Sequence, residues 1–599
     1  MRKSIGILGA AALAWSLAAP AALACGGFFC RNVPVDQAGE KIVFGVDHDN
    51  GDVFAIIQIQ YAGKAEDFSW VIPLPATPSV GVSSDEVFRR LGPPTIPQFR
   101  LNYKTEGTCK TDGPMFAFGD AGGATRAAAP QAESAVDNAG VTVISREKVG
   151  PFDASVLLPS DPKALEEWLK KEGYRIPDSF GELSKTYIQQ KFYFVALKLL
   201  KDKETGDLQP VVVKFKEKYP CVPVRLTAIA AQENMPIIMW VFARSRAIPK
   251  NYYHVALNEA LIDWVGASPR WAMGAPIRGG GTGQPAPNYD AVVTQSMAEA
   301  GGNGFVTELA TSSSVVKASL THNYDPDKLK GLTDPAAFMR EVANQAYPRG
   351  GVMQNLMRKY LPLPADLATR GTDEMTWWNS LFFGSNQFRT TPADFAAFDA
   401  AKFAEDIRTT FVKPIDEAAD LIGRLPYLTR MYTTMTVAAM GAKDPLFAFN
   451  SKLGDVSNVH TADAAILCNP DVYEHEAPYR ITLANGHSFV IEPDKQDRRY
   501  KPLPLGSMPA AFRIEQLAEE APSELIADNG PKIDEVLKKL PIPKSVSAGP
   551  GCACNGLPNM KLGADRPRDT SAADTEAVFW GVALGALFAW RWRRRNDKA

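Results

Sequence analysis

The first long apolar pattern of the chain predicts a β-hairpin. β-prone residues fill 41–46 and 53–61, and Asn50 and Gly51 lie between the two runs. Asn-Gly is a strong hairpin signal because both residues tolerate positive φ. The run 68–74 predicts a third strand, and its prolines push that strand to a sheet edge or end it.

Helical spacing appears next, with start and stop signals. Asp161 and Pro162 predict the start of a helix over 163–172, which Gly173 ends. Leu165, Trp168 and Leu169 fall on one face of that helix, as amphipathic packing requires. A capping-box pair of Ser83 and Glu86 predicts another, shorter helix.

The remaining patterns separate a β-rich half from a helical half. Strands are predicted at 141–145, 192–200, 211–216, 222–228 and 236–242. Helices are predicted at 335–345, 392–408 and 414–424, with short strands near 446–449 and 488–492. The short connections in the first half favour antiparallel pairing. The fold class predicted is therefore α+β, with mostly antiparallel β meanders in the N-terminal half and a more helical C-terminal half.

Both ends of the chain predict export and anchoring. Arg2 and Lys3 precede an apolar run over 5–17 and small residues at 22 and 24, the pattern of a signal peptide. At the other end, the apolar run 577–590 is followed by arginines within 591–595. This run predicts one short C-terminal transmembrane helix, oriented by the arginines, which stay on the cytoplasmic side.

These segments give a predicted domain organisation. Roughly 520 residues between the two ends are too many for one core, so two or three subdomains are expected. The predicted parts are a signal peptide 1–24, a β-rich part 25–270 with a Gly/Ala-rich insertion 119–140, a helix-rich part 288–544, a stalk 545–576 and a sorting or anchor tail 577–599.

Composition excludes some partners and leaves others open. Hydrophobic residues make up 45% and charged residues 22% of the chain, which is ordinary for a folded protein. The formal net charge of -2 gives no reason to expect nucleic acid as a partner. The partners predicted are the membrane, through the C-terminal segment, a sortase-like processing protease and a surface ligand of unknown chemistry. No cofactor is predicted.

The seven cysteines predict disulfide bonds, because exported thiols are readily oxidised. Several pairings fit the sequence: Cys25–Cys30, a pairing of either residue with Cys109, or a Cys221–Cys468 bridge. Cys25 would be the first mature residue, so lipidation is an alternative to simple cleavage, although Ala22 stands where lipoprotein signals carry a branched apolar residue. Candidates for sorting or modification are Cys552 and Cys554.

The candidate chemistry has a structural interpretation in each case. Residues 47–52 space acidic groups like a calcium loop but lack its distal glutamate, so a hairpin tip is favoured. Ser314 and Lys317 fit a Ser-x-x-Lys motif without its companion elements, which favours the start of a strand.

The histidines give no local zinc motif. His322 with Asp325, or His460 with Asp463, could supply two ligands, but a histidine bonded to a neighbouring carboxylate is the commoner arrangement. No catalytic, cofactor-binding or metal-binding residue is therefore assigned.

Several segments resemble a bacterial family, the domain of unknown function 2330. They are the opening Cys25-Gly26-Gly27-Phe28-Phe29-Cys30, the segments 68–75, 149–153 and 165–177, the segments 192–199 and 223–226, and Leu428-Thr429-Arg430-Met431-Tyr432. The resemblance implies no catalytic residue. The tail, with Gly551-Cys552, the apolar run and the arginines, resembles the myxobacterial C-terminal sorting signal, which implies cleavage near the cysteine and retention at the surface.

Together these patterns predict a membrane-anchored protein of the cell envelope, with an ectodomain outside the cytoplasm that binds a ligand or has a structural role. It is not expected to be an enzyme. The alternative is an envelope hydrolase whose catalytic residues lie far apart in the sequence and meet only in the fold.

Overall fold

Runs of strands and runs of helices follow one another along the described chain. The computed structural model describes residues 36–62, 68–110, 140–174, 176–177, 179–200, 208–268, 271–272, 275–276, 285–384, 388–494, 496 and 498–540. The predicted signal peptide, stalk and tail lie outside these residues, as do Cys25, Cys30, Cys552, Cys554 and all of the insertion 119–140 except Gly140.

The strands have the following bounds: β1 Asp36–Asp47, β2 Asp52–Ala62, β3 Ser69–Leu74, β4 Ser79–Val82, β5 Gln98–Glu106, β6 Val141–Val149, β7 Phe152–Pro159, β8 Tyr193–Leu199, β9 Val211–Lys216, β10 Met235–Ala243, β11 Arg246–Pro249, β12 Tyr253–Leu257, β13 Trp271–Ala272, β14 Ala275–Pro276, β15 Gly304–Ser312, β16 Tyr427–Met435, β17 Phe447–Asn450, β18 Val459–Leu467, β19 Tyr479–Leu483, β20 Ser488–Ile491, β21 Ala511–Gln516 and β22 Glu524–Asp528.

The α-helices are α1 Asp85–Thr95, α2 Pro162–Lys171, α3 Phe180–Gln189, α4 Val224–Thr227, α5 Trp264–Ala267, α6 Tyr289–Glu299, α7 Ser314–Leu320, α8 Asp327–Lys330, α9 Pro335–Asn344, α10 Val352–Tyr360, α11 Ala365–Thr369, α12 Glu374–Phe382, α13 Ala400–Ile407, α14 Lys413–Gly423, α15 Val437–Ala442 and α16 Gly530–Lys539. Short 3-10 helices cover Glu259–Leu261, Pro392–Phe395 and Glu474–Glu476, and a π-helical turn covers Arg408–Val412.

A ten-stranded mixed sheet organises the fold. Its strand order is β22-β21-β12-β15-β16-β10-β1-β2-β9-β4, so strands from before residue 270 and after residue 288 share one sheet. β1 pairs antiparallel with β2, with Val46 opposite Val53, and Gly51 in the turn has φ +67°. The hairpin predicted from Asn50-Gly51 is therefore confirmed.

Parallel pairs set this fold apart from a set of meanders. β1 pairs in parallel with β10, β12 with β15, and β5 with β18. Parallel neighbours require a long crossover, and the chain supplies one of nearly 190 residues between β1 and β10. The fold is mixed α/β, and antiparallel neighbours such as β6, β7 and β8 are only part of it.

A separate four-stranded sheet, in the order β3-β8-β7-β6, has β3 at its edge, as its prolines predict. Helix α2 packs on this sheet. Asp161 caps its N-terminus by accepting a hydrogen bond from the amide of Ala164, and Gly173 beyond its end has φ +81°. Trp168 is among the large side chains that are fully buried. The helix predicted over 163–172 is confirmed.

Two local predictions are wrong for identifiable reasons. Residues 222–228 form helix α4 instead of a strand, and Pro220 and Pro223, which lack an N–H, do not suit a strand ladder. Helix α1 is capped by Ser84 instead of Ser83, because the Ser84 hydroxyl accepts from the amide of Glu86.

A third prediction is correct only in part. The helix predicted over 392–408 is divided into the 3-10 helix Pro392–Phe395 and helix α13.

A disulfide joins Cys109 and Cys468, which are 359 residues apart in the sequence. Each cysteine follows one strand of the parallel pair β5 and β18, so the bridge fastens neighbouring strand ends. The Cys221–Cys468 bridge and the pairing of Cys109 with Cys25 or Cys30 that the sequence allowed are therefore wrong, because Cys109 and Cys468 pair with each other. Cys221 carries a free thiol.

Within the described ranges, no helix combines the length and apolar character needed to cross a bilayer. The predicted span 577–590 lies outside those ranges.

Candidate functional site

A pocket of about 300 Å³ opens on one face of the central sheet. Its floor is a row of adjacent side chains, because Lys41 on β1 lies opposite Ile238 on β10, and Ile238 lies opposite Tyr432 on β16. Cavities of about 300 to 1,000 Å³ with apolar walls and a few converging polar groups are typical of ligand sites. This pocket is therefore the candidate functional site.

A β-bulge positions the central carboxylate of the site. On β15, Thr307 lies opposite Met431 and Leu309 lies opposite Arg430, so Glu308 is the additional residue between them. A bulge leaves its extra residue outside the ladder and redirects its side chain, and bulges are common beside functional sites. Here the bulge places Glu308 against Arg430.

Glu308 and Arg430 form an enclosed ion pair. The Arg430 Nε and a Glu308 carboxylate oxygen are 2.6 Å apart, and the side chains are 5% and 1% exposed. Arg430 also donates through Nη1 to the Thr95 hydroxyl at 3.2 Å and lies over the Trp240 ring. The Trp240 indole donates to the same hydroxyl at 2.9 Å. These contacts fix Arg430 before any ligand binds.

Helix α6 forms the opposite wall. The Tyr432 hydroxyl donates to Asp290 Oδ1 at 2.9 Å, and the hydroxyl of Tyr289 bonds to Glu308. The rings of Tyr289 and Tyr432 stack with centroids 6.0 Å apart. The wall therefore joins the two carboxylates to one aromatic pair.

The described lining of the pocket carries side chains of both charges. Glu40, Asp290 and Glu308 supply carboxylates, and Lys41 and Arg430 supply cations. Burial raises the pKa of Glu308, and the Arg430 guanidinium opposes that rise. Burial also lowers the pKa of Lys41. Both shifts follow from burial, which disfavours the charged form of each side chain.

The described lining contains no serine, cysteine or histidine. A side-chain nucleophile of the Ser-His or Cys-His type is therefore missing from this part of the wall. The arrangement offers ion pairing, hydrogen bonding and aromatic contact, which can hold a ligand.

The candidates from the sequence lie elsewhere. The 47–52 segment is a hairpin tip, where Asp47 accepts from the side chain of Asn50 at 2.7 Å and Asp52 pairs with Lys216. Ser314 begins helix α7 after β15 has ended at Ser312, so the strand-start interpretation is wrong. Lys317 on that helix is exposed.

The histidines contact different carboxylates from those considered in the sequence. His322 bonds Asp416 at 2.9 Å, and His460 bonds Glu259 at 2.7 Å. Within the described residues, no group of three or more His, Cys, Asp or Glu side chains is arranged to hold a metal ion.

Sequence reasoning missed Asp290, Glu308 and Arg430. A signal for two of them was present, because Glu308 and Arg430 each stand alone as a charge among β-prone residues. A charge of this kind is expensive to bury without a partner, so two such strands predict an ion pair between them.

One comparison with known proteins gives a match. The model of a bacterial family, described as "Uncharacterized protein conserved in bacteria (DUF2330)", matches residues 19–334, more than half of the 599-residue chain. The matched range includes every described residue of the pocket lining except Arg430 and Tyr432. No curated protein and no solved structure matches the chain.

Proposed function

We propose, from the premise that this chain belongs to the bacterial family DUF2330, that it is an exported cell-envelope protein that binds a small polar ligand in the central pocket. The fold is mixed α/β. The proposal adds two features to it: a short C-terminal transmembrane helix and a helix-rich second half. In this proposal the ectodomain is held at the membrane and has no catalytic step of its own.

The enclosed Glu308–Arg430 pair beside the cavity carries the binding proposal. Removing two charges from water is costly, and well-packed apolar residues often stabilise a protein as well or better. A pair that also lines a cavity has a use that an apolar pair does not have, because it presents fixed charge to a bound molecule.

The hydrolase alternative would have to work differently. With no serine, cysteine or histidine in the described lining, the acid–base groups available are Asp290 and Glu308. Glu308 is committed to Arg430 and Tyr289, which restricts its use as a free proton donor. Binding is therefore the function that the contacts favour.

A thermal-shift screen of small metabolites against the full exported chain tests the binding proposal. A ligand at one hundred times its Kd should add about 2.7 kcal/mol to the free energy of unfolding and raise the Tm. The variant Pro285→Trp places a bulky side chain at an exposed lining position and should abolish the shift. Equal shifts for both proteins would place binding outside the pocket, and a screen without any shift would end the proposal.

The envelope location is supported by the signal-like N-terminus, the terminal arginines and the Cys109–Cys468 bridge. The apolar run 577–590 would span only about 21 Å as a helix at 1.5 Å per residue. A crossing needs about 20 residues, so a short run suits a sorting signal that a sortase-like protease removes.

Mass spectrometry of the mature protein tests the location and the processing together. We expect protein in the envelope fraction that lacks the residues after the Cys552–Cys554 region. Replacing Cys552 and Cys554 by serine should leave the tail attached, and neutral residues at 591–595 should release some protein into the medium. Mature protein that retains Arg591 would show a plain anchor instead of a sorting signal.

A further inference from the structure

We infer that Lys41 captures a small aldehyde or ketone in the pocket, by forming an imine between its side-chain amine and the carbonyl carbon. This inference rests on the proposed binding function and names its ligand class. It follows from the place of Lys41 in the cavity, from the surroundings of its amine and from the apolar remainder of the lining.

The central sheet places Lys41 at the pocket. Lys41 lies opposite Gln58 on β2 and opposite Ile238 on β10. Side chains of directly opposed residues share one face of a sheet, and Lys41 and Ile238 both line the cavity. The side chain of Lys41 is half-buried there. A long, flexible amine therefore lies beside a space that can hold a small molecule.

Lys41 differs from the other buried lysines. Burial lowers the pKa of three described lysines, Lys41, Lys198 and Lys443. Lys198 pairs with Glu172, and Lys443 donates to the backbone carbonyl of Asn251. Among the residues that the structure describes, the Lys41 amine has neither an ion pair nor a hydrogen bond. Of the three, it is the amine that remains available, and it does so beside a cavity.

The charges near Lys41 act on it in opposite directions. Arg430 adds to the lowering of its pKa by burial, and the Asp85 carboxylate opposes it. Both groups are held in place, since Arg430 pairs with Glu308 and Asp85 accepts from the Gln58 amide at 2.6 Å. A lysine that is desolvated or adjacent to another cation is more often neutral, and the neutral amine is a nucleophile.

The reaction of this amine with a carbonyl compound balances without any further reactant. The nitrogen lone pair forms a bond to the carbonyl carbon, and one proton passes from nitrogen to oxygen. The C–O bond of this carbinolamine then breaks, and the oxygen leaves as water with the second proton of the nitrogen. Nothing is oxidised or reduced. Hydrolysis releases the ligand unchanged, so this is reversible capture and adds no catalytic turnover.

The rest of the lining favours a compact apolar body on the carbonyl compound. Apolar side chains cover much of the wall: Ile96, Pro97, Pro236, Ile238, Pro285 and Ala286. A volume of about 300 Å³ is at the small end of ligand sites, which limits the size of the ligand. Aldehydes and ketones carry no charge, so their burial against these side chains requires no ionic partner.

Reductive trapping on the full chain tests the inference. The protein is treated with isovaleraldehyde, benzaldehyde or cyclopentanone and with sodium cyanoborohydride, which delivers hydride to the imine carbon and leaves a stable secondary amine. Peptide mass spectrometry then compares Lys41 with Lys317, an exposed lysine on α7. With at least one probe, Lys41 should be labelled about tenfold or more faster, because the pocket holds the probe against the amine. In urea the two rates should become similar.

Variants assign the reaction to the pocket. In the wild type, isovaleraldehyde should bind about tenfold tighter than isopentanol, which has the same carbon skeleton. Lys41→Arg keeps the positive charge but removes the amine, so the two compounds should then bind equally. Lys214→Arg, at an exposed position on β9 of the same sheet, is the matched control and should keep the difference. Asp85→Asn should speed the trapping, because it removes the charge that holds Lys41 protonated.

The outcomes separate the inference from the proposed function. If no probe labels Lys41 faster than Lys317, the imine inference is wrong. A thermal shift in the metabolite screen that Pro285→Trp abolishes would then leave the binding proposal standing. If Pro285→Trp leaves the labelling of Lys41 unchanged, the amine reacts outside the pocket and the inference is also wrong. If Lys41 is not labelled and the screen gives no shift, both proposals fail.

Discussion

Two glutamates of this protein are buried to the same degree but have different neighbours. The side chains of Glu308 and Glu172 are each 1% exposed. Glu172 faces Arg146 at 3.1 Å and Lys198 at 4.0 Å, and these cations are 38% and 25% exposed. Glu308 instead faces Arg430, which is itself 5% exposed and lines a cavity.

The two ion pairs differ in their access to water and in their position relative to the pocket. Around Glu172, Arg146 also pairs with Asp153, so two cations face two carboxylates. Glu172 directly follows helix α2 and ties its end to the neighbouring strands. The cations of that cluster reach water, whereas Arg430 is enclosed beside the pocket. A cluster that ties a helix end to strands is structural, and an enclosed ion pair beside a cavity is suited to a ligand.

The largest expected effect comes from removing each arginine in turn. Arg430→Met should lower the free energy of unfolding by about 3–5 kcal/mol, because it leaves Glu308 buried without its partner. Arg146→Met should cost clearly less, since Lys198 and water still reach Glu172. Urea denaturation of both variants measures this, and equal losses would remove the distinction between the two sites.

Breaking the disulfide should loosen the strands next to the pocket more than the strands next to Glu172. Ile96 and Pro97 of the lining directly precede β5, and the bridge fastens the far end of that strand to β18. Replacing Cys109 and Cys468 by serine should cost about 2–4 kcal/mol. Hydrogen exchange should quicken in β5 and β18 more than in β7 beside Glu172. The control variant Cys221→Ser keeps the bridge. If hydrogen exchange in β5 and β18 quickened as much in this control as in the variant without the bridge, the expectation would be contradicted.

The pH dependence of stability should depend on Glu308. Since burial raises the pKa of Glu308 in the folded state, its contribution is fully present below the unfolded pKa and is lost as pH rises through the folded value. The Glu308→Gln variant removes this titration. The stability of the wild type relative to Glu308→Gln should therefore fall with rising pH, by about 1.4 kcal/mol for each unit of pKa shift.

Denaturation series over pH 3–8 provide the measurement, and Glu167→Gln at an exposed position corrects for the change in net charge. A relative stability that stays flat or rises with pH would mean that Arg430 outweighs burial at Glu308.

The smallest effect is expected at the hydroxyl that orders the wall. Tyr432→Phe removes one hydrogen bond to Asp290 and should cost about 0.5–1.5 kcal/mol. Tyr174→Phe is a matched change beside Glu172, on a ring that Lys198 covers at 4.4 Å. The change in Tm of each variant relative to the wild type compares the loss of one hydroxyl in each cluster. A Tyr432→Phe protein as stable as the wild type would show that this bond contributes no net stability.

Local signals explain which parts of the fold were predictable. Asn50-Gly51 and Asp161-Pro162 act on their immediate neighbours, so the hairpin and helix α2 follow from short windows of sequence. The strand predicted over 222–228 is wrong because the prediction followed the β-branched residues of this segment and gave too little weight to the prolines beside them.

The pocket could not be predicted in the same way. Lys41, Glu308 and Arg430 come from three distant segments, and only the strand order makes them neighbours. The bulge that turns Glu308 toward Arg430 is a property of strand pairing, which no local pattern states. The only local sign of the ion pair was that Glu308 and Arg430 each stand alone as a charge within a β-prone run.

The placement of β1 has a consequence for how the protein folds. One edge of β1 pairs with β2 a few residues later, while the other pairs with β10, which begins at Met235. The other edge of β10 pairs with β16, which begins at Tyr427. During synthesis, the β1 edge of the hairpin therefore stays open to hydrogen bonding until about 180 further residues have emerged. Pairings of such long range fold slowly and expose strand edges to aggregation, so a holding chaperone would help this sheet more than it would help a fold with short-range pairings.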